Sequence, residues 1–470
     1  MSNFIKKLTE FSLGPIISAL IGFITVPVTT YFISPEEFGK ASMFALVQSI
    51  VVTFVYLGID QAYTREYHYE KNKKKLFQNA LILPVALSIL FGLIITIYNK
   101  QFSTLLFDSP IYKYVSPLFA IMVVSSVIER FILLSLRMEE KALEYSFFTI
   151  FLKLSVLMMT IIFLLFGDRS FLAIVNSTIV GQLFSDAILF LRYRELFKFK
   201  ISYIDKELFK RMFKFGLPLI VAASVSNLLT TSGRLFLRLY STFHDLGIYN
   251  AALKIAGVLQ IIQNAFTSFW VPVAYRWNKE KRSMEHFSFI SDALLAVLTV
   301  IFFCILILKE FLIGILASGY SEAQYIVGLL ALTPILYTLS ETSTLGIVFS
   351  GKSYLNLWVS FLSIIPNIVL NYLLVPRIGT VGAAIATAIS YVVFCIARTY
   401  FSNIAGFKIN FSKQFFNIFI FLLAGIINTS SGEWIMPITL VLFMISVTSQ
   451  LSLIKDIKDI GGNPLKWDFS

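Results

Sequence analysis

Charged side chains are scarce in this sequence of 470 residues, since Asp, Glu, Lys and Arg together make up 14% of it. A soluble globular chain carries about 25%, which it needs to cover its surface with polar groups. Hydrophobic residues make up 57%, and the mean hydropathy is +0.79. This composition excludes a soluble protein of this length and a disordered chain. It predicts an integral membrane protein with many spans.

Cysteine, histidine and the common catalytic motifs are also rare or missing. Cys304 and Cys395 lie in separate apolar runs, and the three histidines are far apart in the sequence. This pattern predicts neither a disulfide framework nor a metal site. No G-x-S-x-G elbow or H-E-x-x-H motif occurs. The phosphate-loop pattern G-x-x-x-x-G-K-[ST] is matched once, by GIVFSGKS at 346–353, but it follows a long apolar run instead of lying between a strand and a helix. We therefore expect no ATP-driven movement on this chain. We therefore expect a protein without enzymatic activity, cofactor or metal.

Long apolar runs dominate the sequence, and a spanning helix needs about 20 such residues. The runs are continuous rather than alternating, which favours helices over a transmembrane barrel. They predict an all-α, polytopic membrane protein of about 14 transmembrane helices. The predicted spans are 11–33, 41–62, 79–98, 114–136, 147–166, 171–191, 215–237, 248–270, 289–309, 324–348, 355–375, 381–401, 414–429 and 435–454.

The positive charges are distributed unevenly among the loops. With the N-terminus placed inside, the inner segments hold 27 of the 39 Lys and Arg residues, the outer segments 7, and the spans 5. Cytoplasmic loops carry such an excess, so both termini are predicted to be cytoplasmic. The net charge of +12 is thus explained mainly by topology, and we expect no nucleic-acid partner.

The longest polar stretch, 192–214, separates the first six spans from the rest. Short motifs recur across it, with Glu37 and Gly39 matched by Asp245 and Gly247 at the same offset. Such repeats are typical of transporters built from two parallel halves. We predict two six-helix lobes as parallel repeats around a central cavity, plus two C-terminal helices. The predicted parts are an N-lobe at 1–195, a cytoplasmic linker at 196–214, a C-lobe at 215–402, and two extra spans with a cytoplasmic tail at 403–470.

Five cations lie inside predicted spans, where a charge is costly unless it faces protein or water. Arg234 and Lys254 fall in the outer half of the bilayer, and Arg130 and Lys153 in the inner half. The fifth, Arg398, lies near the inner boundary. The two outer cations favour a water-filled lumen suited to an anionic substrate.

Polar residues also recur at helical spacing in several spans. Asn227 shares span seven with Arg234, and Asn264 shares span eight with Lys254. Hydrogen bonding between packed helices is the alternative explanation of such stripes. The predicted substrate-binding residues are Arg234, Lys254, Asn264, Asn227, Arg130 and Lys153.

Acidic residues within or beside the spans predict gating or ion coupling. Asp60 and Arg65, at the inner end of span two, are expected to form an inner gate or to couple to protons. Glu129, next to Arg130, and Glu341, on the polar stripe of span ten, complete this set.

Simpler explanations exist for several of these charges. Local pairing with Glu129, or snorkelling of the side chain to the headgroups, is the alternative for Arg130. For Asp186, Asp292 and Arg398, which lie near the inner boundary, snorkelling is the favoured interpretation.

Several segments, in order along the chain, resemble one family of membrane proteins. They are PEEFG at 35–39, GIDQAYTREY at 58–67, LGIYNAALK at 246–254, WVPVAY at 270–275 and VGAAIAT at 381–387. The sequence is similar in these segments to polysaccharide flippases (Wzx type) of the multidrug/oligosaccharidyl-lipid/polysaccharide exporter superfamily. Relatives often carry an acidic residue before the span-seven arginine, whereas Gly233 precedes Arg234 here.

The resemblance implies two six-helix bundles, often followed by two more helices. It implies export of an undecaprenyl-diphosphate-linked oligosaccharide, for O-antigen, capsule or lipopolysaccharide biosynthesis, from the cytoplasmic to the outer leaflet of the bacterial inner (plasma) membrane. Membrane lipids, a polysaccharide polymerase and a chain-length regulator are the expected partners. With no ATP site, an ion gradient or the substrate gradient must supply the energy.

Three alternatives stay open from sequence. A small-molecule or drug antiporter of the same superfamily usually needs an acidic cavity for cationic substrates, whereas the cations within these spans point the other way. A membrane polysaccharide polymerase would need a large outer loop for its catalytic acids. A translocator of the peptidoglycan lipid precursor would share the expected architecture.

Overall fold

The computed structural model describes residues 2–352 and 354–453, and all regular structure in these ranges is helical. The chain divides into two compact units, an N-terminal unit of residues 1–227 and a C-terminal unit of residues 228–470. The boundary between the units falls inside one long helix, α9 (Lys206–Tyr240).

The N-terminal unit contains eight helices and the first part of α9. They are α1 (Ser2–Phe32), α2 (Pro35–Tyr56), α3 (Ile59–Glu66), α4 (Lys73–Ile97), α5 (Asn99–Phe107), α6 (Val115–Met138), α7 (Ala142–Phe166) and α8 (Phe171–Arg192). The start of α2 follows ordinary capping rules. Ser34 accepts a hydrogen bond from the backbone N–H of Glu37, and Pro35 opens α2, where a missing N–H costs nothing.

The C-terminal unit contains the end of α9 and nine further helices. They are α10 (Phe243–Ala256), α11 (Leu259–Lys279), α12 (Met284–Ile307), α13 (Lys309–Gly314), α14 (Val327–Ser343), α15 (Leu345–Phe349), α16 (Tyr354–Ile404), α17 (Ser412–Ile427) and α18 (Ile435–Ser449). A 3-10 segment, Ser318–Tyr325, precedes α14.

The predicted fold class, an all-α polytopic membrane protein, is confirmed. Among the described residues nine helices are long and apolar enough to cross a bilayer, and eleven if each of two bent pairs forms one span. α17 and α18 are shorter apolar helices. α16 has non-helical backbone angles at Ile378 and Gly379, between the predicted spans eleven and twelve. The count of fourteen spans and the lobe boundaries stay predictions.

Several predicted spans differ from the structure. Span two is interrupted, because α2 ends at Tyr56 and α3 begins at Ile59. Span eight is broken, because α10 and α11 meet at a bend of 41°. Its polar residues Lys254 and Asn264 therefore do not lie on one straight helix. Span seven begins earlier than predicted, since α9 starts at Lys206 inside the predicted linker.

The rest of that linker is held against α4 by two neighbouring amide side chains. Gln78 donates to the backbone oxygen of Lys200 at 2.9 Å and accepts from its N–H at 3.1 Å. Asn79 donates to the backbone oxygen of Tyr203 at 2.7 Å and accepts from the N–H of Asp205 at 2.9 Å. Each side chain thus satisfies backbone groups that would otherwise need water, so the linker is part of the N-terminal unit.

A close backbone contact joins the start of α3 to α9 inside the N-terminal unit. Gly58 has φ +70°, and a Cβ added to it would lie 2.4 Å from the backbone oxygen of Gly216. A Cβ on Gly216 would lie 2.7 Å from the backbone oxygen of Leu57. Only glycine fits at Gly58, because it alone combines this φ with the absence of a side chain.

We predict that Gly58→Ala destabilises the protein more than a matched glycine substitution does. Gly351 has φ +68°, and no atom lies within 4 Å of the position that a Cβ would take there. Gly351→Ala should therefore lower the free energy of unfolding only by the cost of the left-handed backbone, about 1–2 kcal/mol. Gly58→Ala should lower the free energy of unfolding by about 1–3 kcal/mol more, because the backbone of α9 must move. Unfolding of the purified variants in detergent measures both; equal losses would show that the contact with Gly216 contributes nothing.

We also predict that Asn79→Ala frees the linker without unfolding the helices. Limited proteolysis should then cut within 196–205 several times faster than in the parent protein, because two backbone groups lose their partners. Asn99→Ala is the control, since the Asn99 amide bonds only to the nearby backbone oxygen of Thr96. Unchanged cleavage in Asn79→Ala would contradict the role of this amide.

Lys75 adds an ion pair to the same attachment, with its Nζ 2.6 Å from Oδ2 of Asp205. The hydrogen bond from Lys75, with backbone N–H donors including that of Leu208, lowers the pKa of Asp205 to about 2. A lowered carboxyl pKa stabilises the folded state above the unfolded value of about 4. Proteolytic protection of the linker should therefore persist at neutral pH and weaken as the pH falls from about 4 towards 2.

Candidate functional site

Asp60 and Arg130 form an ion pair in the N-terminal unit. Asp60, in the first turn of α3, is buried, and Arg130 of α6 brings Nη2 to 3.1 Å from its Oδ2. The Arg130 side chain keeps 42% of its surface exposed, and its buried Nε has no hydrogen-bond partner among the described residues. The described residues show no ion pair between Arg130 and its neighbour Glu129, the alternative weighed from the sequence, although Arg130 acts on Glu129 electrostatically.

A second polar group connects α6 and α8. Gln182 donates from Nε2 to Glu129 at 2.6 Å and to the Asp186 carboxylate at 3.1 and 3.3 Å. Ser125 donates to Asp186 at 2.5 Å. One amide nitrogen therefore bridges two carboxylates within the membrane-spanning helices.

The snorkelling interpretation of Asp186 is wrong, since only 1% of this residue is exposed. α8 packs against α6 and turns the carboxylate inward towards Ser125. Sequence reasoning missed Gln182 and Asp186, although a signal existed. Ser125 and Glu129 are four residues apart, as are Gln182 and Asp186, so each pair lies on one helix face.

Arg65 and Lys153 are exposed. The Arg65 guanidinium lies over the ring of Phe215 at 4.4 Å, which is a cation–π contact. Asp60, the expected gating partner of Arg65, pairs instead with Arg130. Lys153 on α7 acts electrostatically on Glu129.

Arg234 is a cation of the C-terminal unit without a counter-ion among the described residues. It is half-buried on α9, and its buried Nε has no hydrogen-bond partner in the described part of the chain. Its titratable electrostatic neighbour is Tyr249, a neutral phenol whose hydroxyl bonds to Thr387 at 3.1 Å. Gly233 precedes it, so no acid stands beside it in the chain.

The other residues predicted to bind substrate have different surroundings. Lys254 on α10 and Asn264 on α11 are both exposed, on opposite sides of the bend between these helices. Asn227, at the end of the N-terminal unit, donates to Oγ1 of Thr53 at 2.8 Å. Asn227 therefore takes part in helix–helix hydrogen bonding, the alternative weighed for the polar stripes.

Glu341 has a partner that the sequence did not indicate. Arg398 of α16 places Nη1 at 2.7 Å from Oε1 of Glu341 on α14, and its guanidinium lies 4.8 Å and 4.7 Å from the ring centres of Tyr337 and Phe394. Both charged side chains are nearly buried. The snorkelling interpretation of Arg398 is therefore wrong.

Asp292 is paired as well. Lys413 lies 2.8 Å from its Oδ2, and Gln414 donates to its Oδ1 at 2.8 Å. α17 thus supplies two partners for Asp292, and the snorkelling interpretation of this residue stays a prediction.

A buried polar cluster near Arg234 was not predicted. Ser232 donates to Oδ1 of Asn367, which also accepts from Asn371 at 3.1 Å. Both asparagines are fully buried. Within the described residues, Nδ2 of Asn367 and Oδ1 of Asn371 have no partner.

No group of three or more His, Cys, Asp or Glu residues suited to a metal ion is found in the described part of the chain. The polar atoms above are instead arranged as pairs of opposite charge, amide bridges and cations such as Arg234 for which the described residues show no counter-ion. Such an arrangement can hold protons and attract an anion.

Comparisons with solved structures show the fold. The chain matches the lipid II flippase MurJ in an inward closed conformation with a TM-score of 0.66 and 12% identity, over 95% of this chain and 99% of that one. It matches an inward-facing multidrug resistance MATE family transporter of the MOP superfamily with a TM-score of 0.59 and 16% identity, over 83% and 93%.

Two curated proteins are similar in sequence over part of their length. The chain is 26% identical over 180 residues to the probable low-salt glycan biosynthesis flippase Agl15 of Haloferax volcanii, covering 37% of this chain and 38% of that protein. It is 25% identical over 232 residues to the capsular polysaccharide biosynthesis protein CapF of Staphylococcus aureus, covering 47% and 58%. The matches thus span less than two thirds of either relative.

The family comparison covers more of the chain. The model of the family described as "polysaccharide biosynthesis protein" matches residues 4–278, which is more than half of the sequence. The resemblance noted in the sequence is confirmed, and the chain belongs to the polysaccharide biosynthesis protein family of multi-pass membrane proteins.

Proposed function

We propose that this protein is a flippase for undecaprenyl-diphosphate-linked oligosaccharide repeat units. It carries them from the cytoplasmic to the outer leaflet of the bacterial plasma membrane by alternating access, with both of its own termini cytoplasmic. The names of Agl15 and CapF support glycan export as the pathway. The fold shared with MurJ and MATE transporters supports transport rather than catalysis.

The main support for this proposal is that Arg234 has no counter-ion among the described residues. A cation in a spanning helix is expensive, and the described residues offer it no carboxylate. An anionic substrate would supply that missing charge, and a guanidinium suits phosphate oxygens because it can donate two parallel hydrogen bonds. The sign of this charge favours a diphosphate over the cationic drugs expected of an antiporter.

The remaining predicted binding residues have graded roles in this proposal. Lys254 and Asn264, both exposed, contact the diphosphate and sugar hydroxyls. Lys153 and the exposed part of Arg130 receive the substrate on the inner side. Asn227, already bonded to Thr53, contributes mainly by orienting α9.

Ion coupling is proposed for the acidic residues of the N-terminal unit. Glu129 shares the Gln182 amide with Asp186, and two neighbouring carboxylates hold a proton more readily than an isolated one. When Glu129 gains or loses a proton, the change in charge acts on Arg130 and through it on Asp60. Arg65 closes the inner end of the N-terminal unit by its contact with Phe215. Glu341, paired with Arg398, is the corresponding gating residue of the C-terminal unit.

We expect Arg234→Ala combined with Lys254→Ala to abolish surface polysaccharide. The reason is loss of the two cations that attract the diphosphate, each worth about 1.5–3 kcal/mol as a charge-assisted hydrogen bond. Complementation of a deletion strain measures this, with the amount of tagged protein in the membrane as the control for folding. Arg238→Ala, one turn further along α9 with its guanidinium over Phe243, is the matched variant and should retain export.

Normal surface polysaccharide in the double variant would contradict the assignment of these cations. Increased drug sensitivity of the deletion strain, with polysaccharide intact, would favour the antiporter. Translocated but unpolymerised repeat units would favour the polymerase. Lethality of the deletion by itself would favour the peptidoglycan precursor as substrate.

Glu129→Gln is expected to uncouple transport from the ion gradient. The amide keeps the size of the side chain but cannot bind and release a proton. Transport is measured in proteoliposomes that contain the variant and lipid-linked oligosaccharide from the native strain. An imposed pH gradient should stimulate the transport rate of Glu129→Gln much less than that of the parent protein, while the rate without a gradient persists. Glu322→Gln, at an exposed position, is the control; full stimulation in Glu129→Gln would assign coupling elsewhere.

A further inference from the structure

A polar cavity of about 180 Å³ lies in the C-terminal unit, where α12 ends and α17 turns into α18. Its polar lining comprises Lys309, Glu310, Gln324, Asn428, Ser430 and Ser431. Apolar residues of α12 and α18 line the side next to these helices. Because α12 is a membrane-spanning helix that ends at Ile307, the cavity lies at the depth of the lipid headgroups.

Lys309 is a buried cation held by neutral groups. Only 9% of the residue is exposed, and its ammonium donates to the backbone oxygen and the Oδ1 of Asn428 at 3.1 and 3.0 Å. An ammonium has three donors, so one remains for a ligand. Burial lowers the pKa of Lys309, and the nearby charge of Glu310 acts in the opposite direction.

Asn428 is itself fixed in place. Its Nδ2 donates to the backbone oxygen of Ala424 at 2.9 Å and to Oγ1 of Thr439 at 2.8 Å. The acceptors that orient Lys309 therefore cannot rotate away freely. The ammonium is preorganised, which reduces the cost of binding a ligand.

Glu310 supplies the opposite charge in the same cavity. It is exposed and follows Lys309 in the chain, yet the described residues show no ion pair between the two. Glu310 and Gln324 also line a neighbouring cavity of about 440 Å³, so the site is open on the Glu310 side. Glu310 acts on Lys309 electrostatically without forming an ion-pair contact with it in the described structure. Both side chains can therefore face a ligand that carries two opposite charges.

We propose that this cavity binds the phosphoethanolamine group of a membrane phospholipid. The phosphate accepts a hydrogen bond from Lys309, and the primary ammonium donates to Glu310. Ser430, Ser431 and Gln324 offer further hydrogen bonds, and the acyl chains lie along the apolar surfaces of α12 and α18. This inference is independent of the transported substrate and concerns a lipid that stays bound to the protein.

Competitive lipid binding tests the proposal. Purified full-length protein is mixed with equal amounts of phosphatidylethanolamine and phosphatidylglycerol, and the retained lipid is counted by native mass spectrometry. Lys309→Met should weaken retention of phosphatidylethanolamine at least about tenfold, as loss of one charge-assisted hydrogen bond implies. Lys113→Met, at an exposed lysine of the N-terminal unit, should leave retention unchanged.

Glu310→Gln separates ligand recognition from folding, because this side chain is exposed. It should abolish the preference for phosphatidylethanolamine over phosphatidylglycerol while phosphatidylglycerol is still retained. An unchanged preference in Glu310→Gln, or unchanged retention in Lys309→Met, would overturn the proposal. Soluble phosphoethanolamine that competes as well as the lipid at equal concentration would also overturn it, since the source would then be a free metabolite.

Discussion

The cost of placing charge in the hydrocarbon core of a bilayer determines how this protein is packed. A charged side chain there needs an opposite charge, a hydrogen-bonding group or water. Two ion pairs meet this need, and each joins two helices within its own unit. They are Asp60 with Arg130 in the N-terminal unit and Glu341 with Arg398 in the C-terminal unit. Each pair therefore fixes which helix faces lie together, in addition to whatever it contributes to stability.

The same constraint makes exceptions informative. Arg234 is half-buried without a counter-ion among the described residues. Lys309 is buried, donates to Asn428 and lies 5.7 Å from the ring centre of Tyr325. One lies within a spanning helix and the other at a helix end. In our proposals, the first cation binds a transported anion and the second binds a resident phospholipid headgroup, which carries both charges.

Breaks and bends in the helices determine where these charged side chains lie. The left-handed residues Leu57 and Gly58 end α2 and start α3 in a new direction, which brings Asp60 to Arg130. The bend between α10 and α11 separates Lys254 from Asn264, and the break at Gly379 divides α16. Interruptions of spanning helices are tolerated where neighbouring protein satisfies the freed backbone groups, so the breaks and the polar side chains occur together.

The sequence by itself determined the class of the protein, because hydrophobic runs and loop charges act locally and independently of packing. It also indicated the family, through short segments in a fixed order, and it identified Arg234 as an unusual cation. It could not assign partners, since Arg130, Arg398 and Asp292 bond to residues that are distant in the chain. Asp186 likewise bonds to the distant Ser125, in addition to Gln182 on its own helix. Only the tertiary structure decided these pairs. The helical period shows in the sequence which residues share a helix face, whereas the helix that packs against that face depends on the fold. For the same reason, the Lys309 cavity, which joins residues from three separate segments, could be found only in the folded chain.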